Sequence, residues 1–540
     1  MPSAMLSRRM TITREFFTSS HISRCRRRNS SFLHIVKADQ TQSPAAMRVL
    51  LEMRPALDGH AGIPQETRLL FNGLRTLRGI NVEGLIQSSS HVLAKGLPTV
   101  ESRWHAPLTR DKQINRLSRV VVSLQQRISN AHLAAVGMTT RRLLGRQERL
   151  SRFEATHFRD FIWRMLFART LPYENFDAVT CADFRVARVP WTAMHRCALL
   201  TKKLGYALYP RLDTSDYDVL IVETPYPAIV APSTTLVVRY HDAIPLLMPH
   251  TISDKVYHQA SHYQALRNNV TRGGFFSCVS DATRSDLLSI FPQAEARSTT
   301  IYNMVSHHYF PEESSPARVP EIIATRRNDR IPARATATEG SLRDGGAPLE
   351  FLLIVSTIEP RKNHTTLLAA WEKLRTERFP NLKLVVVGML GWGNKAIVKK
   401  FLPWIERGEL FVLADVPSPE LRLLYKHAKA TICPSFGEGF DFSGVEAMRS
   451  GGAVVASEIT VHREVYGDAA EYFSPYSIAD SARAIAAVIA PERRERRLEL
   501  VAKGAVTSCR YLPDRLLPQW QEFLQKIRAP GIAATKGMRT

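Results

Sequence analysis

The sequence predicts an α/β protein of two domains, each a parallel sheet covered by helices. Three observations predict it. Short apolar runs such as Phe351-Leu-Leu-Ile-Val355, Leu382-Lys-Leu-Val-Val-Val387 and Ala430-Thr-Ile-Cys433 have the length and composition of strands buried on both faces. The runs end in glycine-rich or polar turns, and segments with apolar residues at helical spacing follow. The same alternation recurs in the first half of the chain, and 540 residues suffice for two separate cores.

Residues 1–46 are Arg- and Ser-rich, poor in acids and without the apolar core of a secretory signal, so they read as a basic, disordered and dispensable extension. The N-terminal domain is expected over 47–316. It opens with the strand Arg48-Val-Leu-Leu51, a loop carrying Gly59 and Gly62, and a helix with Leu69, Leu70, Leu74 and Leu77. Glycines after a first strand let the backbone approach a ligand; a plain strand-to-helix turn is the competing reading. A basic insertion at about 100–170 is mostly helical in pattern, with Trp104, Leu117, Val121, Leu124, Phe153, Phe161, Trp163 and Leu166 among arginines. Its helices either pack on their own domain or touch lipid and shape an acceptor site. Two further strands, Val219–Val222 and Leu236–Tyr240, end in polar residues, the second in His241-Asp242. Phe276–Val279 with Ser280 and Thr283 reads as a strand and a capped helix.

Residues 317–349 are rich in Pro, Ala, Arg, Thr and Gly without hydrophobic period and read as a linker. The C-terminal domain is expected over 350–528. Its first strand runs into Glu359-Pro-Arg361-Lys362-Asn363, with Asn363 or Thr365 placed to cap the next helix. Arg361 and Lys362 thus lie on a strand-to-helix loop, where open α/β sheets bind ligands, and two cations there suit a diphosphate. Residues 529–540 read as a frayed tail.

The most informative segment is Pro434-Ser-Phe-Gly-Glu438-Gly439-Phe440-Asp441-Phe442-Ser443-Gly-Val-Glu446. A strand, a Gly-rich turn and a helix opening near Ser443 form an anion site, because unpaired N–H groups and the helix dipole face the ligand. Glu438 lies in the turn and Glu446 one turn into the helix, a spacing that suits a nucleotide-sugar with one carboxylate on the transferred sugar and one on the ribose. The plain alternative is a capped helix start with two solvated acids.

With the Gly388 turn after the second strand, Ala453–Ser457 and Glu464–Pro475, these motifs run in an order that resembles the retaining glycosyltransferases of family 4 (glycosyltransferase group 1), of the bacterial surface-polysaccharide type. The resemblance is close over residues 348–476. It implies the GT-B fold: two Rossmann-like domains facing across a cleft, with the terminal helix around Leu512–Leu524 crossing back onto the first domain. It also implies that Gly59 and Gly62 face the donor phosphates and that His241 lies near the donor sugar. Two departures stand out. Val355-Ser356 occupies the place where many members have Gly and Arg, and Asp441 and Ser443 replace a Gly and a Pro.

The reading is therefore a hexosyltransferase acting with retention and without metal. Arg361 and Lys362 stabilise the diphosphate, Glu438 binds sugar hydroxyls, Glu446 binds ribose, and N–H groups around Phe440–Ser443 complete the anion site. The leaving phosphate helps deprotonate the acceptor on the same face. The nucleoside-diphosphate sugar is a substrate, with GDP-mannose the specific candidate, and no cofactor is expected. The resemblance points to a lipid-linked or polysaccharide acceptor and to a cytoplasmic site at the inner face of the cytoplasmic membrane. Two alternatives stay open: a GT-B nucleotide-sugar epimerase or soluble glucan or disaccharide synthase, and a non-catalytic protein binding membrane or polyanion on a transferase scaffold.

Charge bears on partners. The net +23 is concentrated N-terminally: residues 101–210 carry 19 Lys/Arg against 8 Asp/Glu, and residues 1–46 carry 8 against 2. This suits an anionic membrane surface; no nucleic-acid-binding signature accompanies it, so nucleic acid is not expected. No apolar run approaches a membrane span. Six scattered cysteines without a Cys-x-x-Cys pair suit a reducing compartment. Asp216-Tyr-Asp218 precedes a strand rather than following one, His258 and His262 lack the glutamate and third ligand of a zinc hydrolase, and no phosphate-binding Gly-x-x-x-x-Gly-Lys loop occurs.

Overall fold

The computed structural model describes residues 46–528 except 58, 60, 61, 100–106, 127–130, 202–206, 253 and 332–347. The expected extension up to residue 45, Trp104, much of the linker and the tail lie outside the described residues.

The first domain contains β1 (Met47–Glu52), β2 (Ile80–Gln87), β3 (Glu148–Arg149), β4 (Ser151–Glu154), β5 (Asp183–Ala187), β6 (Leu212–Asp213), β7 (Val219–Val222), β8 (Thr235–Tyr240), β9 (Phe275–Cys278) and β10 (Ser298–Thr300). Eight form one sheet in the order β10-β9-β8-β7-β1-β2-β5-β4, while β3 pairs with β6. The sheet is parallel apart from β4, which runs antiparallel to β5 with Phe153 opposite Phe184. Helices cover both faces, which is why the central strands are apolar throughout rather than alternating.

The second domain contains β11 (Phe351–Val355), β12 (Lys383–Val387), β13 (Leu410–Leu413), β14 (Ala430–Cys433), β15 (Val454–Ser457) and β16 (Ala470–Phe473). All pairings are parallel, in the order β13-β12-β11-β14-β15-β16. The winding reverses between β11 and β14, so the loops leaving their carboxyl ends diverge and open a crevice.

The two domains are tied together at several points. Ser280 accepts from Thr283 N as the cap of helix Asp281–Ile290 and donates from Oγ to Gly439 O at 2.7 Å. The first amides of that helix, Asp281 N and Ala282 N, donate to the Glu464 carboxylate of the second domain at 2.6 and 2.9 Å. The last helix, Pro513–Arg528, returns to the first domain, where Leu516, Trp520 and Leu524 are fully buried. Each such side chain contributes about 1.5–3 kcal/mol through burial. Arg239 lies 5.3 Å from the Trp520 ring centre, joining a buried cation to this returning helix.

Two sequence expectations need correction, and a third segment is more varied than its pattern. The stretch read as linker begins with a helix, Arg318–Thr325, because Val319, Ile322 and Ile323 fall at helical spacing and bury against the second domain. The segment at 100–170 holds helices Arg110–Leu124 and Ala131–Leu143 and then also supplies β4, the sheet edge. Its Phe153, Trp163 and Leu166 are core residues. Asn363 takes the left-handed conformation at the N-cap of helix His364–Glu377 (φ 56°) but makes no side-chain cap bond. Its amide instead donates to Pro434 O and Pro475 O, stitching the glutamate loop to the strand-end loop after β16.

Candidate active site

Every residue given a catalytic or binding role from sequence lines one cleft of roughly 420 Å³, within the range of small-molecule sites. The first domain contributes Gly59 and Gly62 from the loop after β1, and His241 from the end of β8. The second contributes Arg361 and Lys362 after β11, Gly388 after β12, and Glu438 through Ser443 with Glu446 after β14. All are carried by loops or helix starts leaving the carboxyl ends of parallel strands, so the fold positions the set.

Two glycines are required by close approach. A Cβ on Gly388 would sit 2.0 Å from Ser356 O, and one on Gly439 would sit 1.7 Å from His241 O. The second contact joins the glutamate loop directly to the first domain.

Glu438 is the hub of the cationic half. Arg361 Nη1 donates to its Oε2 at 2.7 Å and Lys362 Nζ to its Oε1 at 2.5 Å. Arg361 also donates to Gly437 O and pairs with Glu359 Oε1 at 3.0 Å. Burial alone would raise the Glu438 carboxyl, but Arg361 and Lys362 outweigh it and hold the group below the usual carboxylate range. Burial disfavours the Arg361 charge, yet Glu438, Glu359 and Asp242 hold it more firmly protonated than usual.

Glu446 is different. It is 4% exposed, and its Oε1 accepts from Gln65 Nε2 of the first domain at 2.9 Å while Oε2 accepts from Tyr425 OH at 3.0 Å. Burial pushes its carboxyl up to about 7, against hydrogen bonds from Gln65, Tyr425 and Tyr309 that lower it. Neither glutamate is the solvated acid of a plain helix start.

The anion site expected around Phe440–Ser443 is modified by Asp441. Helix Phe442–Arg449 does begin there, but Asp441 caps it, its Oδ1 accepting from Ser443 N at 3.1 Å and Ser443 Oγ at 2.6 Å. A carboxylate therefore occupies one of the amides open to a ligand where relatives of the resembled family carry glycine. Burial would raise Asp441, but His462, Lys362 and Ser443 lower it well below the usual range.

Sequence reasoning missed Gln65, Tyr425 and Glu223. Gln65 lies in helix Ile63–Leu74, whose Gln65, Glu66, Thr67 and Arg68 are all buried, so four consecutive polar residues opening a helix were the available signal. Glu223 follows β7 and stands behind His241, its Oε2 2.9 Å from His241 Nε2. The remaining motifs stay apart from the cleft: Asp218 accepts from Arg48 N, and His262 of helix Lys255–Thr271 lies against Tyr240 OH. Among the described residues no group of three His, Cys, Asp or Glu is arranged to hold a metal ion.

Residues 347–504 match the family model described as glycosyl transferases group 1. The chain is 28% identical over 215 residues to the O-antigen chain mannosyltransferase B of Escherichia coli, covering 40% of this chain and 51% of that protein. It is 36% identical over 135 residues to the serotype-specific mannosyltransferase WbdA of Escherichia coli, covering 25% of this chain and 16% of that protein. The match thus spans about half of the first relative and less of the second. Two solved structures share the fold. A sucrose-phosphate synthase from Thermosynechococcus elongatus aligns with a TM-score of 0.52 at 12% identity, covering 89% of this chain and 99% of that one. Anabaena HepE in complex with UDP and glucose aligns with a TM-score of 0.52 at 14% identity, covering 89% and 100%.

Proposed function

From a glycosyl transferases group 1 domain at residues 347–504, set in a two-domain GT-B fold, we propose that this protein is a retaining, metal-independent hexosyltransferase. It moves mannose from GDP-mannose to a lipid-linked or polysaccharide acceptor in cell-surface glycan synthesis. The observation that carries this reading is the pairing of Arg361 and Lys362 on Glu438 at the mouth of one domain's sheet, in a cleft that also holds Glu446 and is closed by His241 of the other domain. The mannose assignment is supported by the two Escherichia coli relatives, both mannosyltransferases by name.

The diphosphate lies against Arg361 and Lys362, whose charges offset the negative charge that grows as the bond to the sugar breaks. Glu438, held ionised between them, keeps both cations in place and accepts from sugar hydroxyls. Glu446 accepts from ribose hydroxyls. The acceptor attacks from the face the diphosphate leaves, and the departing phosphate oxygen takes the acceptor proton, which gives retention without a protein nucleophile. No cofactor takes part.

A peripheral position on the inner face of the cytoplasmic membrane is supported by surface chemistry. Helix Ala131–Leu143 leaves Leu133 and Val136 exposed, and Leu143 and Leu144 continue the exposed apolar surface beside Arg141 and Arg146. Among the described residues no helix is long and apolar enough to cross a membrane.

The test is a thermal-shift panel of GDP, UDP, ADP and their common sugars against the native protein and Glu446→Ala, without added metal. One diphosphate is expected to raise the transition in the native protein only. Stabilisation by none of them would remove the transferase reading in favour of a lipid- or polyanion-binding protein. Free nucleotide released from a sugar donor with no acceptor present would favour an epimerase.

A further inference from the structure

His241 is a cleft residue held by a neighbour outside the cleft lining. Its Nε2 lies 2.9 Å from Glu223 Oε2, and the Glu223 side chain is wholly buried. A proton must sit between these two atoms, on the imidazole or on the carboxyl. Which one holds it decides what the other ring nitrogen, Nδ1, offers to a substrate.

The surroundings favour the carboxyl. Among the described residues Glu223 Oε1 has no hydrogen-bond partner, which an ionised carboxylate in the protein interior tolerates poorly and a neutral acid tolerates far better. The buried arginines nearby are committed to other acids. Arg54 Nε donates to Glu52 Oε1 at 2.7 Å, and Arg239 Nη2 donates to Glu66 Oε1 at 3.0 Å. The Glu223 backbone N–H donates to Glu52 Oε2 at 3.0 Å, bringing a second carboxylate close. The charged and titratable groups around the pair are therefore Glu52 and Arg54 from β1 and the turn after it, Glu66 from helix Ile63–Leu74, and Arg239 and Asp242 from β8 and its end.

We propose that Glu223 is a positioning residue that keeps its proton on Oε2, donates it to His241 Nε2, and so makes the imidazole present Nδ1–H as a hydrogen-bond donor. The pKa directions agree. Burial, with Glu52 adding to it against Arg239 and Arg54, pushes the Glu223 carboxyl up to about 8. Burial together with Arg239 pushes the His241 imidazole down to about 4, so it stays neutral through the physiological range.

The consequence for the reaction rests on the transferase reading above. A neutral donor can hold a sugar oxygen without placing a positive charge beside an anomeric carbon that is itself becoming positive. With Nε2 engaged and Nδ1 protonated, the ring has no lone pair for removing the acceptor proton. His241 then orients the sugar and is not the base.

Ring-nitrogen NMR on protein labelled with 15N-histidine tests the assignment without any turnover, the His241 signal being identified by its loss in His241→Asn. The expected result at pH 7 is a protonated Nδ1 and a bare Nε2; a proton on Nε2 overturns the proposal. The second arm is the pH profile of kcat. The donor tautomer is present below the Glu223 pKa and is lost as pH rises through about 8, so native kcat should fall there. Glu223→Gln, whose amide can donate to Nε2 but does not titrate, should keep kcat within about threefold below pH 7 and lose the alkaline fall. Glu223→Ala should lower kcat by about tenfold with KM little changed. An alkaline fall that survives in Glu223→Gln counts against the proposal. Failure of every donor to turn over would sink the transferase reading and leave the NMR result to decide this one.

Discussion

Gln65 Nε2 donates to Glu446 Oε1 at 2.9 Å, joining residues 381 positions apart in sequence and on opposite sides of the cleft. The carboxyl assigned to ribose is thus held by donors from both domains, Gln65 from the first and Tyr425 from the second among them, before any nucleotide arrives. A ribose that bonds to Glu446 must compete with Gln65 or share the carboxylate with it.

Glu446 should cost the empty protein stability at high pH. Its folded pKa, about 7, lies above the ordinary carboxyl value, so the folded state keeps a proton that the unfolded chain releases. Stability therefore falls as pH rises from about 4.5 to about 7, by roughly 1–3 kcal/mol. Glu446→Gln is expected to match the native transition temperature at pH 5, exceed it at pH 8, and lose stabilisation by nucleoside diphosphate. Calorimetric scans at the two pH values, with and without ligand, check all three.

The Arg361–Glu438–Lys362 cluster predicts opposite effects for its members. Arg361→Ala or Lys362→Ala should weaken nucleoside diphosphate binding about 10- to 100-fold, the worth of one charge-assisted contact. Glu438→Ala leaves two cations without their counter-ion, so diphosphate should bind as tightly as before or more so, while kcat falls about 10²–10³-fold. Titration calorimetry with initial rates separates the two patterns. Because the Glu438 carboxyl is held below its ordinary value, its contribution to stability is present above that value and lost as pH falls through the depressed one.

Asp441→Gly restores the glycine of the resembled family and removes the cap on helix Phe442–Arg449. Because glycine is itself tolerated at an N-cap, a loss of only about a few tenths of a kcal/mol is expected, lowering the melting temperature by about 1 °C or less. Nucleoside diphosphate affinity should hold or rise, since a carboxylate leaves the anion site, while discrimination among donor sugars should change. Comparing kcat/KM over several nucleotide sugars for both proteins gives the answer.

Leu133→Ser combined with Leu143→Ser should reduce binding to vesicles containing phosphatidylglycerol at least tenfold and leave nucleotide binding unchanged. Added salt should weaken native binding, because arginines flank the exposed leucines. Co-sedimentation with anionic and zwitterionic vesicles measures both effects.

What the sequence disclosed and what it hid divide along a physical line. Strands such as Phe351–Val355 and Ala430–Cys433 are legible because strands buried on both faces need uninterrupted apolar runs. The cleft residues are legible because glycine turns, paired carboxylates and paired cations sit within a few positions of one another. Helix Arg318–Thr325 was hidden by a biased composition, although Val319, Ile322 and Ile323 carried its period. Gln65 and Glu223 were hidden for another reason. Gln65 matters through a partner 381 positions away, and Glu223 through the hydrogen bonding of a ring on the neighbouring strand. Neither leaves a local pattern.

The bonds from Asp281 N and Ala282 N to the Glu464 carboxylate bear on how such proteins can be recombined. A helix of the first domain has its opening amides satisfied by a side chain the second domain supplies, and the last helix of the chain completes the first domain's core. Separating the C-terminal half from this N-terminal half would leave the Asp281 and Ala282 amides without their carboxylate and the first domain's core without its last helix. Transplantable units here are therefore pairs of matched surfaces, and an exchange of the second domain must carry Glu464, Gly439 and the returning helix together.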